Sequence, residues 1–512
     1  MNQNRQTFYN IITVLIVLLI NIILNFGLSS YIVEKIGEEA YGFISLANTF
    51  ISYASIISVA LNSMASRFIT IEIQKKNIKG ANEYFTSVLW ANIILIILLL
   101  IPSIIMIIFL ENLINIPPEL VFDVKLLFLL IFINFYISLI GGLYSIATYC
   151  TNKLYLTSIK NMQSAIIKLV IVVLLFMLLT PMTYYIAVAT IISTIFVVIY
   201  NIKYTKELLP DIQLNKKYFS KEKIKILLVS GVWNSITNLG NLLTDGLDLI
   251  LINLYISPES MGLVAIAKTP SMVLSNIISG IANVFQPKMI KNYGEKNYSE
   301  LIVKDSINAM KINGIFGNIP FAFIIIFGYE FFRVWMPSLD GLVLYILGIL
   351  TFLNVLSGGI ISPLYNIYTI NNEVKKNAIL RISVGIITTI IVITLITITD
   401  WDVYVIVGTS AIIGLIVNTI IVPIQVSNMI KVKKTTFYPV ILRYIIATVI
   451  MVVIYALLNI FLIDVTDIVN LIAVIIVCGI IGVVVNSLIL LNKEEIKFMY
   501  NGIIKKVSKN GR

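Results

Sequence analysis

The sequence predicts an all-α, polytopic membrane protein of about fourteen transmembrane helices, built as two parallel six-helix lobes around a central cleft with a further helix pair at its C-terminal end. Three observations carry that prediction. Of the 512 residues, 59% are hydrophobic and only 12% are charged, and the mean hydropathy of +0.97 lies far above what a soluble core requires. Apolar runs of about 20 or more residues, each long enough to cross roughly 30 Å of hydrocarbon at 1.5 Å per residue, recur to the end of the chain. The hydrophobic pattern also repeats. The stretch Gly27, Glu38, Glu39, Tyr41, Gly42, Ala47, Asn48, Thr49 reappears about 220 residues later as Gly246, Glu259, Gly262, Ala267, Lys268, Thr269. Gly141-Gly142 and Lys160-Asn161 recur in the same order as Gly358-Gly359 and Lys376-Asn377.

In lipid the backbone must be satisfied within each segment, so continuous aliphatic runs are helices rather than the alternating strands of a barrel. Spans are expected at roughly 8–32, 41–66, 84–109, 120–148, 157–179, 182–203, 227–254, 260–286, 307–329, 340–369, 376–399, 402–426, 437–462 and 466–491. Six spans separate each repeat anchor from its copy. That even number makes the repeats parallel, related by an axis along the membrane normal. Residues 1–203 form the N-lobe, 204–226 a cytoplasmic linker, 227–430 the C-lobe, 431–491 the appended spans thirteen and fourteen, and 492–512 a basic tail. Lysine spacing in the 201–225 connection suggests a surface helix. Ile496, Met499, Ile503 and Val507 suggest an interfacial basic helix in the tail.

Charge distribution tests the span count, because Lys and Arg should gather in alternate loops. Arg67, Lys75, Lys76 and Lys79, then Lys203 to Lys225, then Lys288 to Lys304 fall in even-to-odd connections, whereas Glu38, Glu39, Glu119, Glu259, Asp340 and Asp467 fall in the others. Both termini are therefore expected in the cytoplasm, and the localisation is a multi-pass protein of the bacterial cytoplasmic (inner) membrane. The first apolar stretch is too long for a signal-peptide core. The formal charge of +11 sits where topology already requires it, facing anionic membrane lipid, so nucleic acid is excluded as a partner. Cys150 and Cys478 lie in different segments without metal-ligand spacing, so no metal site is expected.

Composition also bounds the chemistry. There is no histidine, and no hydrolytic triad, metalloprotease motif or phosphate-binding glycine loop can be assembled, so no catalytic residue is assigned. The short outer loops leave no room for the groups that membrane polymerases and ligases of lipid-linked sugars require. No cofactor is expected. Transport would draw on a proton or sodium gradient, on membrane potential or on the substrate's own gradient.

The sharpest local signal is in span seven, where Asn234, Asn238, Asn241, Asp245 and Asp248 recur at steps of four, three, four and three, one face of a regular helix. A carboxylate at the bilayer centre costs about 2.5–3.5 kcal/mol on insertion scales, so the stripe is expected to line a cavity or to meet partners on other helices. Lys268 in span eight is expected at the depth of Asp245, either as a static ion pair or as a cation that meets an anionic substrate. Its repeat counterpart is Asn48. Lys168 in span five follows Asn161 and Ser164 on a similar face, with snorkelling to the cytoplasmic surface as the alternative; for Arg381 snorkelling is favoured. Gly141, Gly142, Gly358 and Gly359 allow close helix packing, Pro270 and Pro363 can kink their spans, and Trp233, Trp335 and Trp401 are placed as interfacial anchors.

Twelve repeated spans plus a terminal pair resemble the polysaccharide transporter and O-antigen flippase branch of the multidrug, oligosaccharidyl-lipid and polysaccharide exporter superfamily. The most recognisable pieces are Ile36-Gly37-Glu38-Glu39-Ala40-Tyr41-Gly42 running to Asn48, and Met261-Gly262-Leu263 running to Lys268, with Pro287 closing span eight. The resemblance implies that an undecaprenyl-diphosphate-linked oligosaccharide is turned from the cytoplasmic to the outer face through a cleft between lobes, beside other polysaccharide assembly proteins, with Lys168 and Lys268 suited to the diphosphate. Lipid II flippases of the superfamily look arginine-rich in their first spans, where this chain has Asn10, Asn21 and Asn25. Drug exporters usually have twelve spans with acids in the N-lobe. Drug export and lipid II transport remain alternatives, as does a non-transporting scaffold in envelope assembly.

Overall fold

A computed structural model describes residues 3–286, 289–290, 297–399, 402–461, 465–492 and 495, apart from the side chains of 3–12, 14–16, 18–19, 21–22 and 245. Pro287, Trp401 and the tail positions Ile496 to Val507 lie outside the described residues. The described chain is helical without strands, and thirteen of its helices are long and apolar enough to cross a membrane. The first, Gln3–Gln74, has 72 residues, about 108 Å at 1.5 Å per residue and too long for one crossing. Gly37 breaks it. With φ 82° and ψ 170°, Gly37 occupies backbone space that a side chain disfavours, and the two arms are spans one and two, so the fourteen expected passes are present.

The remaining passes follow the predicted order, most extending past the apolar run. Span three is Ile78–Ile108, span four Val121–Leu143 continued by Ile146–Cys150, span five Leu154–Leu178 and span six Tyr184–Leu208. Span seven is Lys221–Asn241 and Leu247–Tyr255, joined through a π-helical turn, Leu242–Gly246. Spans eight to eleven are Pro258–Val284, the pair Tyr298–Gly317 and Ile319–Trp335, Gly341–Ile370 and Val374–Ile398. Span twelve carries a second π turn, Val417–Ile421, and spans thirteen and fourteen are Tyr438–Phe461 and Ile468–Leu490.

Helix starts are set by polar caps. On the side that the charge bias assigns to the outside, called the outer side below, Asp340 accepts from the Leu342 amide at 2.8 Å and Asp467 from Val469 at 2.9 Å. Buried Asp123 reaches from span four to accept from Thr183 and Tyr184 at 2.8 and 3.0 Å, closing the start of span six. Acids in outer loops thus satisfy orphan amides and complement helix dipoles. The connection between spans six and seven corrects one expectation: no separate surface helix forms there, only a single 3-10 turn at Lys216–Tyr218. Pro210 lies just beyond Leu208, and Ser220 caps the next helix by accepting from Lys223, so Lys203 and Lys206 end span six, Lys221, Lys223 and Lys225 begin span seven, and no helix of their own forms between. Trp335 also departs from the expected role of anchor: it is 6% exposed and packs beside Phe331 at a centroid distance of 5.5 Å.

Packing divides the chain into two compact units, Met1–Ile266 with Ala378–Thr389, and Ala267–Asn377 with Ile390–Arg512. In the first, Leu61, Ile69, Phe85, Leu143 and Leu227 form one core and Leu28, Ile32, Val172 and Phe176 another, while Ile97, Leu98 and Ile101 of span three are more than 60% exposed, as a lipid-facing surface would be. Lipid supplies no hydrophobic drive between helices, so close approach depends on small residues. A Cβ on Gly141 would collide with Val198, and one on Gly231 with the Ala60 carbonyl. In the second unit, Gly359 packs on Gly317, where a Cβ would lie 3.1 Å from the Gly359 Cα. The appended pair docks on span nine through a buried amide cluster: Asn318 donates to Thr448 at 3.1 Å and exchanges hydrogen bonds with Asn486 at 3.1 and 2.7 Å.

Candidate functional site

Within the first unit the polar residues of span seven are positioned by span two. Gly231 admits the Ala60 backbone, and one turn on, Ser235 donates to the Ile56 carbonyl at 2.6 Å. Asn234 donates to the Ser63 hydroxyl at 3.3 Å. Tyr53 donates to the Leu242 carbonyl at 3.0 Å, the first residue of the π turn, whose carbonyls lie off the regular helical ladder. The two helices therefore meet through small residues and hydrogen bonds.

The π turn alters the predicted stripe. An extra residue in one turn rotates everything beyond it by about 100° relative to a regular helix. Asn234, Asn238 and Asn241 precede the turn, share one face and are each half-buried. Asp248 follows it, is 3% exposed and lies within Coulombic reach of the Tyr53 hydroxyl. The side chain of Asp245 is outside the described residues. Sequence spacing could not register the turn, because a π insertion has no residue signature.

Asn48 is exposed and donates to the Ile44 carbonyl at 2.8 Å. Lys168 is half-buried in span five, and Ser164, one turn earlier, donates across to the Ser193 carbonyl of span six at 3.0 Å. Lys268 belongs to the second unit, half-buried on span eight, with its carbonyl accepting from Ser271 at 2.9 Å. Arg381, on the segment of span eleven that joins the first unit, has its backbone against Gly240.

Several polar residues make contacts that the sequence does not reveal. Lys160 lies 3.8 Å from the Tyr200 ring centroid and donates to Gln163 at 2.9 Å, a cation on an aromatic face. Asn62 and Asn92 exchange hydrogen bonds at 3.0 and 3.1 Å, and Asn92 also donates to the Leu139 carbonyl at 3.1 Å. On the outer side the Asn115 amide donates to the Asn253 side chain at 2.8 Å, its own side chain donates to the Asn253 carbonyl at 2.7 Å, and Asn253 returns a bond to the Asn115 carbonyl at 2.9 Å. In the second unit, Tyr365 and Ser357 meet Asn418, and Tyr368 meets Gln425, linking spans ten and twelve without charge. Among the described residues no three acids, cysteines or histidines come together to hold a metal.

Two glycines of the first unit, on spans two and eight, approach closely. Gly42 and Gly262 occupy equivalent repeat positions and touch: a Cβ on Gly42 would lie 2.9 Å from the Gly262 Cα, and one on Gly262 would strike the Glu38 carbonyl.

The model of a family described as "Polysaccharide biosynthesis protein" matches residues 8–293, more than half of the chain. The chain belongs to that family. A relative from Bacillus subtilis (strain 168), described as "Uncharacterized membrane protein EpsK", is 27% identical over 419 residues, covering 82% of this chain and 83% of the relative. Among solved structures, lipid II flippase MurJ in an inward closed conformation superposes with a TM-score of 0.66 at 16% identity, covering 98% of this chain and all of MurJ. An inward-facing multidrug resistance MATE family transporter of the MOP superfamily also gives 0.66, at 15% identity, over 82% of this chain and 99% of its own. These likenesses show that the chain shares its fold with MurJ and with the MATE transporter.

Proposed function

We propose that this family member is a flippase that carries a polyprenyl-diphosphate-linked oligosaccharide from the cytoplasmic to the outer leaflet of the bacterial cytoplasmic membrane by alternating access of two six-helix lobes. The family match across residues 8–293 carries the reading. The fourteen-pass fold and the many amide and hydroxyl side chains within the spans support it, because a glycan head group needs many weak neutral partners while its polyprenyl chain stays in lipid. The protein acts as a transporter and not as an enzyme. Lys168 and Lys268 meet the diphosphate. Asn48, Asn234, Asn238 and Asn241 line the path, and Asp245 and Asp248 exchange partners or couple the cycle to a proton or sodium gradient. Both termini face the cytoplasm, where anionic lipid holds the basic loops.

Deletion in the native host tests this reading. Surface polysaccharide should vanish while its lipid-linked precursor accumulates on the cytoplasmic leaflet, and the intact gene should reverse both. Normal surface polysaccharide in the deletion strain, or loss without accumulated precursor, would overturn the reading.

A further inference from the structure

The first unit contains a cavity of about 310 Å³ between spans two and four, on their cytoplasmic halves by the charge assignment. Its polar lining is Ser58, Asn62, Ser63, Ser66 and Ser138, and its apolar walls include Val59, Leu139 and Ile146. No lining residue is charged. Such a pocket is built for neither a diphosphate nor an organic cation. Its volume lies at the small end of ligand sites, which run from roughly 300 to 1,000 Å³, so it suits one small group rather than a whole oligosaccharide.

The lining is prepared for hydroxyl groups. Asn62 spends its amide protons on the Ser58 carbonyl at 3.0 Å and on Asn92 at 3.0 Å, which fixes its side chain. Ser58 donates to the Ser55 carbonyl at 2.8 Å, leaving its oxygen to accept, and Ser63 accepts from Asn234, leaving its proton to donate. Among the described residues the hydroxyls of Ser66 and Ser138 enter no hydrogen bond with the protein. Donors and acceptors thus alternate beside aliphatic walls, the pairing a sugar ring needs for its hydroxyls and its C–H face.

Gly142 stands on the wall of the same cavity. Inside a helix glycine is less favourable than alanine, and the neighbouring Gly141 offsets this by close packing against Val198. A Cβ on Gly142, however, would meet no atom within 4 Å. Gly142 is exposed on the cavity's lining, so a bulky side chain there would project into open space at its wall.

We propose that this cavity is a binding site for a single uncharged sugar residue, with Gly142 as the position that keeps it open. The proposal rests on the flippase reading for the source of the sugar, which is the glycan of the lipid-linked substrate. It places recognition of that glycan on spans two and four, apart from the lysines assigned to the diphosphate.

The test combines direct binding with transport. Saturation-transfer NMR on the purified full chain, with the methyl glycosides of neutral hexoses and N-acetylhexosamines as probes, should show transfer to at least one of them. Gly142→Leu should cut that signal at least fivefold, Ser66→Ala with Ser138→Ala should weaken it, and Gly142→Ala, which adds only a methyl group in open space, should fold normally and retain most of it. In proteoliposomes Gly142→Leu should slow flipping of the lipid-linked oligosaccharide at least tenfold, with an unchanged melting temperature confirming its fold. Should the wild-type chain fail to flip but bind a glycoside in a Gly142-dependent way, the flippase reading falls and the sugar site stands. Should it flip while Gly142→Leu flips equally well, or should no glycoside give a Gly142-dependent signal, the sugar site falls. If Gly142→Leu does not fold, the Ser66→Ala/Ser138→Ala variant decides by the same two readouts.

Discussion

Single side chains in this protein act mostly through buried pairs. Asn253 is fully buried and shares three hydrogen bonds with Asn115, so Asn253→Ala strands the Asn115 amide and carbonyl and should cost about 1–3 kcal/mol, measured as a lower melting temperature in detergent. Glu495, beyond span fourteen, receives two 2.8 Å bonds from Lys311 of span nine. Burial pushes its carboxyl up, but the Asn492 amide and Lys311, with Arg443 farther off, outweigh burial and hold it below the usual 4.5. A depressed carboxylate stabilises the fold above its unfolded value and loses that contribution as pH falls through the lowered one. The melting temperature should therefore drop on acidification below about pH 4.5, and Glu495→Gln should show a smaller drop. Lys168, Lys268 and the span-seven acids stand out in the sequence because charge in an apolar run is conspicuous. Asn115 with Asn253, 138 residues apart, was not, since nothing local marks one asparagine as another's partner.

At the scale of helices and turns, the apolar runs specified each span, yet the irregularities govern where side chains go. Gly37 and the charge pattern made the first hairpin readable. The π turn at Leu242–Gly246 was hidden, and it separates Asp248 from the asparagine face. The outer seam at Gly42 and Gly262 adds an electrostatic feature, since the turns that meet there bring acids together. Burial, then Glu259, Glu38 and Glu119, raise the Glu39 carboxyl above its ordinary value. For a raised carboxyl the favourable contribution is complete below the unfolded value and disappears as pH climbs through the raised one. At neutral pH the seam therefore carries repulsion. Glu39→Gln should raise the melting temperature at pH 7 and leave it nearly unchanged at pH 4, and an equal effect at both values would locate the change in packing instead.

For the whole molecule, composition was enough to give class and span count, because membrane solvation acts on every residue of a span at once. What long-range packing decides was not legible: the compact units begin and end at places that the repeat does not mark, since contact follows three-dimensional fit and duplication follows ancestry. The charge bias predicts both termini in the cytoplasm, so a green fluorescent protein fused at the C-terminal end should fluoresce and alkaline phosphatase fused there should be inactive; the opposite pair would invert the assignment. The central claim is vectorial movement of a lipid-linked glycan. Its most direct measurement is reconstitution of the purified chain in vesicles holding a fluorescent polyprenyl-diphosphate oligosaccharide in the inner leaflet, with a membrane-impermeant quencher outside. Quenching that rises with protein, above that of protein-free vesicles, is the predicted result; quenching identical in the two would contradict it.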